Sequence, residues 1–313
     1  MNSSRKKILV ALDGSDQSLD AVRYLKNVLP PENVKMVLFH VMRKISQSFW
    51  DMGINPMGRD RMANIAAWEI EQKRAMEDFM EHASNILFEA GFSREAVKTN
   101  LHVRVEGIAR DIIIESQAGY DSVIVGRKGL SKIKDLVIGS IADKLVHKLS
   151  NIPVCIVGGK PLPGKILIAM DTSEGALKAV DHAGLMFGNA DIEITLMHAI
   201  RGISDLQIQQ ESILQPDMED ELVKDIIREM NPAFEKAKNR LVNAGLNPQR
   251  ITSKVVSGVS SRALAIYEEA KKEGIGTIII GRRGLSKVQE FFIGRVGNKV
   301  IQMAREMAVW VVS

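Results

Sequence analysis

The sequence predicts an α/β fold in two tandem domains, each built on a parallel sheet. Three observations lead there. Short β-branched runs alternate with longer helical stretches from end to end, the order that a parallel sheet with right-handed crossovers requires. The chain has 313 residues, enough for two domains of common size. Its second half also repeats its first. KILVALD at 7–13 returns as KILIAMD at 165–171, and DSVIVGRKGLSKIKDLVIGSIADK at 121–144 returns as GTIIIGRRGLSKVQEFFIGRVGNK at 276–299. A period that long marks a domain duplication rather than a solenoid.

In the first half, the strand 7–13 opens the fold and ends at Asp13. Ser15 is a fitting N-cap for a helix over 17–29, which Pro30 and Pro31 end. A second strand follows at 34–41. Residues 43–60 hold Gly53, Pro56 and Gly58, show no period and read as a long loop, a length that points to a lid or an interaction segment. A long helix over 62–90 stops at Gly91, which suits the left-handed residue after a helix. The strand 97–105, a helix over 108–117, the strand 121–125, a helix over 140–149 and the strand 154–157 bring the domain to five strands.

The second half repeats this order with strands at 192–199, 251–256, 277–280 and 309–312, a helix over 218–244 ended by Gly245, and a helix after Ser260. Pro232 falls inside the long helix and is expected to kink or split it, because proline lacks the N–H and crowds the preceding turn. Between the halves, GGKPLPG at 158–164 continues neither strand nor helix. The domains are read as 1–158 and 165–313, joined by a linker over 159–164.

The glycines after the buried strand carry the chemistry. Gly126, Gly129 and Gly139 follow it as Gly-x2-Gly-x9-Gly, with Ser140 next. Gly281, Gly284 and Gly294 repeat the spacing, with Arg295 in place of the serine. Glycines at a strand end permit positive φ and leave no Cβ in the way, so that backbone N–H groups can turn toward an anion. A helix starting at Gly139 and Ser140 adds free N–H groups and the positive end of its dipole. Together these describe a phosphate cradle. Arg127 and Arg282, next to the first glycine of each copy, are expected near phosphate, where charged hydrogen bonds are the stronger kind. Lys128, Arg283 and Lys287 add positive charge, and Lys132 and Lys134 read as solvated. Arg295 either contacts a phosphate or fills the pocket and closes it. Asp13 either accepts hydrogen bonds from a ligand at the strand ends or helps hold a metal through water, or it only holds N–H groups of the loop before the first helix. His40 and His198 sit at equivalent ends of the second strands, where a bond to loop backbone is the expected role.

The glycine pattern after a buried strand, with Ala11-Leu12-Asp13-Gly14-Ser15 near the domain start, resembles the universal stress protein family in its tandem form over nearly the whole chain. The resemblance implies two tandem Rossmann-like domains, each a five-stranded parallel sheet with helices on both faces. It also implies ATP, or ADP or AMP, at the carboxyl ends of the strands, with any Mg2+ arriving on the phosphates, and a cytoplasmic stress or regulatory role. Carried over by residue, Ala11, Leu12 and Val41 offer backbone to the base. Asp13, Gly126, Arg127, Gly129, Gly139, Ser140 and Ile141 complete that site. Ala169, Met170, Asp171, Gly281, Arg282, Gly284, Gly294 and Arg295 form a weaker second one. The resemblance further implies pairing of the last strands, with the two halves packed face to face as an intramolecular pseudo-dimer; a homodimer of the whole chain stays open. Members without the motif bind no ATP. A non-nucleotide interaction or hydrophobic-ligand module is therefore the alternative, suggested by Phe49, Trp50, Met52, Ile54 and Met57 within 43–60.

Composition narrows the function classes. With 45% hydrophobic and 26% charged residues, each half can bury a core. A net charge of +4, spread along the chain, calls for neither nucleic acid nor membrane as a partner. The apolar run 8–12 is too short for a secretory signal, and no stretch reaches the length of a membrane span, so a cytoplasmic protein is expected. The one cysteine, Cys155, reads as a buried strand residue in a reducing compartment. The six histidines lack metal-ligand spacing. No Gly-Lys-Ser/Thr ending, Gly-x-Ser-x-Gly elbow or catalytic base stands out, which leaves at most a slow ATP hydrolysis.

Overall fold

The computed structural model describes residues 5–43, 56–129, 137–202, 216–284 and 293–313, with side chains described at all of these except 56–63 and 216–220. The first half contains β1 (Lys6–Ala11), α1 (Asp16–Val28), β2 (Val34–Met42), α2 (Pro56–Phe88), β3 (Val97–Val103), α3 (Ile108–Ser116), β4 (Ser122–Gly126), α4 (Ser140–Lys148) and β5 (Val154–Val157). The second contains β6 (Lys165–Ala169), α5 (Glu174–Phe187), β7 (Glu193–Arg201), α6 (Pro216–Asn243), β8 (Ile251–Val259), α7 (Arg262–Lys272), β9 (Thr277–Gly281), α8 (Arg295–Met303) and β10 (Ala308–Val312).

One sheet runs through the molecule in the order β3-β2-β1-β4-β5-β10-β9-β6-β7-β8. Within each half the strands are parallel. At the centre β5 and β10 pair antiparallel, with Cys155 opposite Trp310 and Val157 opposite Ala308. The last strands do meet, but the halves join edge to edge rather than face to face, which corrects the expected packing. An edge strand presents a row of unpaired N–H and C=O groups, and here each half covers the other's.

Strands covered on both faces are almost wholly apolar, as VCIV in β5 is and SVIVG in β4 is after Ser122, with every residue buried. Alternate residues feed two cores. Ile8, Val10 and Leu12 point to the side of α1, α2, α5 and α6, whereas Leu9 and Ala11 point to the side of α3, α4, α7 and α8. Each core draws on both halves, so neither half owns a hydrophobic face that ends at the junction.

Two matched polar contacts cross that junction. Tyr24 of α1 meets Thr277 of β9 at 3.0 Å, and His182 of α5 meets Ser122 of β4 at 3.3 Å. Trp310 Nε1 donates to the Tyr24 hydroxyl at 2.9 Å.

Local signals set most element ends. Ser15 Oγ accepts from Ser18 N–H at 3.2 Å and starts α1, and Gly91 follows α2 with φ of 91°. Residues 56–60, expected in a loop, belong to α2, whose first residue is Pro56; a proline there lacks only an N–H that the first turn leaves unpaired anyway. Phe49, Trp50, Met52 and Ile54 lie outside the described residues, as does the side chain of Met57. Pro232 does not split α6, because Met230 and Phe234 on either side are held in the same core. That packing outweighs one missing backbone hydrogen bond.

Candidate functional site

Strand order reverses between β1 and β4, which opens a crevice beyond the carboxyl ends of the strands. A cleft of about 1160 Å³ occupies this position, somewhat larger than a common small-molecule site. Ala11, Leu12 and Asp13 enter it from the end of β1, and Val41 from β2. Gly126, Arg127 and Gly129 follow β4, and Gly139, Ser140 and Ile141 begin α4. All ten first-half residues singled out by the sequence thus meet in one cleft.

The glycines are there for close approach. None of Gly126, Gly129 and Gly139 has positive φ, contrary to the expectation that such freedom is what they supply. A Cβ on Gly129 would overlap Asp13 Oδ2, and one on Gly139 would stand 3.2 Å from Arg127 O. Asp13 itself accepts from Ser15 N–H at 3.1 Å and from Ser15 Oγ at 2.5 Å. It therefore holds the loop before α1 and also faces the cleft, so its two readings are compatible.

Helix starts differ by location. The N-caps Ser15, Ser173 and Ser261 each accept a backbone N–H of their helix. Gly139 and Gly294 offer α4 and α8 no such side-chain cap. Their first-turn N–H groups are left for a ligand or solvent. Ser140 and Arg295, at the first helical positions, are both exposed.

His40 Nδ1 lies 2.8 Å from Leu12 O. A carbonyl only accepts, so Nδ1 donates, leaving Nε2 as an acceptor. Burial lowers the pKa of this ring and favours its neutral form. His198 repeats the bond with Met170 O at 2.7 Å. Bonding to loop backbone is the role expected of both.

The arginines overturn an expectation. Arg127 and Arg282 are buried, with 3% and 1% exposure, and their side chains face the opposite half rather than a phosphate. Arg127 Nη1 donates to Ile301 O at 2.6 Å and Nη2 to Ala304 O at 2.9 Å, at the carboxyl end of α8. Arg282 Nη2 donates to Val146 O at 2.9 Å and to Leu149 O, at the carboxyl end of α4. The physical reason is supply of acceptors: a helix ends in carbonyls without intrahelical partners and in the negative end of its dipole. Burial lowers each guanidinium pKa to about 10, so both stay charged near neutral pH. Gly158 lets Arg127 pass, since a Cβ there would lie 2.7 Å from Arg127 Nε.

The second half repeats the local geometry. Asp171 accepts from Ser173 N–H at 3.0 Å, and a Cβ on Gly284 would lie 2.7 Å from Asp171 Oδ2. Ala169 ends β6, Met170 N–H donates to Met197 O at 2.7 Å, and Gly281 ends β9. A Cβ on Gly281 would lie 2.6 Å from the Gly175 carbonyl carbon. Lys132, Lys134 and Lys287 lie outside the described residues.

The family model described as the universal stress protein family matches residues 4–158 and again 163–313. The chain belongs to the universal stress protein family. It is 25% identical over 142 residues to universal stress protein YxiE of Bacillus subtilis (strain 168), covering 45% of this chain and 93% of that protein. It is 24% identical over 206 residues to a universal stress protein of Mycolicibacterium smegmatis (strain ATCC 700084 / mc(2)155), covering 64% of this chain and 65% of that one. In fold it is similar to the crystal structure of a universal stress protein from Archaeoglobus fulgidus DSM 4304, with a TM-score of 0.62, 18% identity, and coverage of 100% of this chain and 99% of that one.

In this universal stress protein the roof of the cleft is what the sequence left unseen. Trp68, Ile70, Gln72, Lys73 and Met76 of α2 line it, and Trp68 and Ile70 keep 47% and 56% exposure. A signal did exist. Trp68, Gln72 and Met76 fall four residues apart, one stripe of a helix that is longer than its own core contact needs. Among the described residues no cluster of three His, Cys, Asp or Glu is placed to hold a metal, and no helix is long and apolar enough to cross a membrane.

Proposed function

We propose that this chain is a cytoplasmic stress-response or regulatory protein that binds ATP, or ADP or AMP, chiefly in the cleft of its first half. The observation that carries this reading is the meeting of all ten first-half residues in one cleft, at a strand-order reversal, beside a helix start with no side-chain cap. The backbone of Leu12 and Val41 would take the base. Gly126, Gly129 and Gly139 would keep the wall free of side chains, and the first-turn N–H groups of α4 at Ser140 and Ile141 would hold phosphate oxygens, whose charge the N–H groups and helix dipole favour. Lys128 lines the same wall and adds positive charge. Gly129 has no room for a Cβ, which would overlap Asp13 Oδ2, so this loop lies close against Asp13. A bound nucleotide supplies a phosphoanhydride. The described residues around it, Asp13 and His40 among them, are read here as binding groups, with turnover slow at most. Mg2+ would arrive with the phosphates. The second half, with Arg295 for Ser140, is the weaker site.

Mass spectrometry of the denatured purified protein for ATP, ADP or AMP, followed by calorimetric titration with ATP, tests the reading. Micromolar or tighter binding supports it, and no detectable binding with or without Mg2+ rejects it. The apolar roof at Trp68 and Ile70 favours a second reading, a hydrophobic-ligand module in the same cleft. Competition between ATP and a fluorescent apolar probe separates the two.

A further inference from the structure

We propose that Arg282, a residue of the second half, is a positioning residue for the anion site of the first half, and that Arg127 does the same in reverse. The inference rests on the nucleotide reading above for its ligand and on side-chain geometry for its mechanism.

Each arginine belongs to one glycine motif and binds the helix of the other. Arg127 stands between Gly126 and Gly129, and its backbone is tied to its own site: Arg127 N–H donates to Val157 O, and Arg127 O accepts from Gly139 N–H, both at 2.7 Å. Its guanidinium crosses the junction to the carboxyl end of α8, the helix that Gly294 and Arg295 begin. Arg282 mirrors this. Its N–H donates to Val312 O at 2.6 Å, its carbonyl accepts from Gly294 N–H at 2.9 Å, and its guanidinium binds the carboxyl end of α4. The result is a closed circuit: first glycine loop, α8, second glycine loop, α4, and back to the first.

The circuit is stiff for three reasons. Both guanidiniums are almost wholly buried, so letting go would leave a charge and two helix-end carbonyls without partners. Nine residues make α4 about 13 Å long, so the position of its last carbonyls largely fixes that of its first N–H groups. Each guanidinium is also held within its own half, Arg127 Nη1 donating to Val137 O at 3.4 Å and Arg282 Nε to Ser313 Oγ at 3.0 Å. A shift of one glycine loop is thereby carried to the helix N-terminus of the other site.

The experiment uses the full-length protein and the variants Arg282→Gln and Arg282→Lys. Two readouts are taken: the ATP dissociation constant of the site that Ser140→Ala weakens, and amide hydrogen exchange over residues 140–143 without nucleotide. We expect Arg282→Gln to raise that constant at least tenfold and to speed the exchange. Arg282→Lys keeps the charge and part of the reach and should fall between. A role in folding alone would lower the melting temperature of both variants yet leave the dissociation constant within twofold and the exchange over 140–143 unchanged; either of the latter two results overturns the proposal. If the parent protein binds no ATP, the nucleotide reading fails separately, and the exchange measurement alone decides: faster exchange supports positioning, unchanged exchange refutes it.

Discussion

The hydroxyl of Tyr24, in the first half, lies 3.0 Å from the hydroxyl of Thr277, in the second, and takes the Trp310 Nε1–H at 2.9 Å. All three side chains are buried at the seam of the sheet. Tyr24→Phe would strand the indole N–H in an apolar setting, a loss of about 1–3 kcal/mol. Urea unfolding should show a lower midpoint with an unchanged slope. A midpoint equal to that of the parent would mean that the seam does not depend on this bond.

His182 holds the equivalent place in the second half, and burial lowers its pKa to about 4, from an ordinary value near 6.5. Its ring stays neutral in the folded protein while the unfolded chain takes up a proton below pH 6.5. Stability contributed by the neutral ring is therefore complete above about pH 6.5 and falls as pH drops toward 4, by about 3 kcal/mol in all. Denaturant midpoints measured from pH 7.5 to 4 should fall more steeply in the parent than in His182→Asn. Parallel curves would rule out His182 as the source.

Gly129 faces the carboxylate that organises the loop before α1. In Gly129→Ala the new Cβ meets Asp13 Oδ2, so the carboxylate must turn or shift, which strains the bonds that its other oxygen, Oδ1, makes to Ser15. We expect a loss of about 1–3 kcal/mol in stability and at least tenfold in ATP affinity. Gly126→Ala, whose nearest clash is Gln17 O at 3.2 Å, should be milder. Calorimetry and thermal melts of the two variants test the order, and the reverse order would sink the close-approach account.

Ser140 and Arg295 distinguish the two sites. A hydroxyl and an N–H at the first helical position can both serve one phosphate, and losing a hydrogen bond to a charged group costs about 1.5–3 kcal/mol. Ser140→Ala should weaken the tighter site about ten- to a hundredfold, and Arg295→Ser should tighten the weaker one. If instead Ser140→Ala spares the tight site and Arg295→Ser abolishes it, the second half is the principal site.

Trp68, half exposed on the roof of the cleft, should report occupancy. Trp68→Ala is expected to change the melting temperature little while weakening ATP binding. Equal affinity in parent and variant would take α2 out of the site.

The sequence by itself determined the elements, their order and the floor of the cleft. Each rests on local chemistry. β-branched runs such as SVIVG fill strands covered on both faces, Ser15 caps α1, Gly91 ends α2, and the glycines after β4 lie within a few residues of the strand end that they serve. Tertiary structure alone decided the rest. A guanidinium beside a glycine at a strand end suits a phosphate as well as a helix carboxyl end, and nothing near Arg127 in the chain says that Ile301 and Ala304 supply its acceptors. The same holds for Tyr24 and Thr277 and for the edge-to-edge seam at β5 and β10. These depend on which surfaces the sheet order brings together, and a buried polar group takes whichever partner is within reach there.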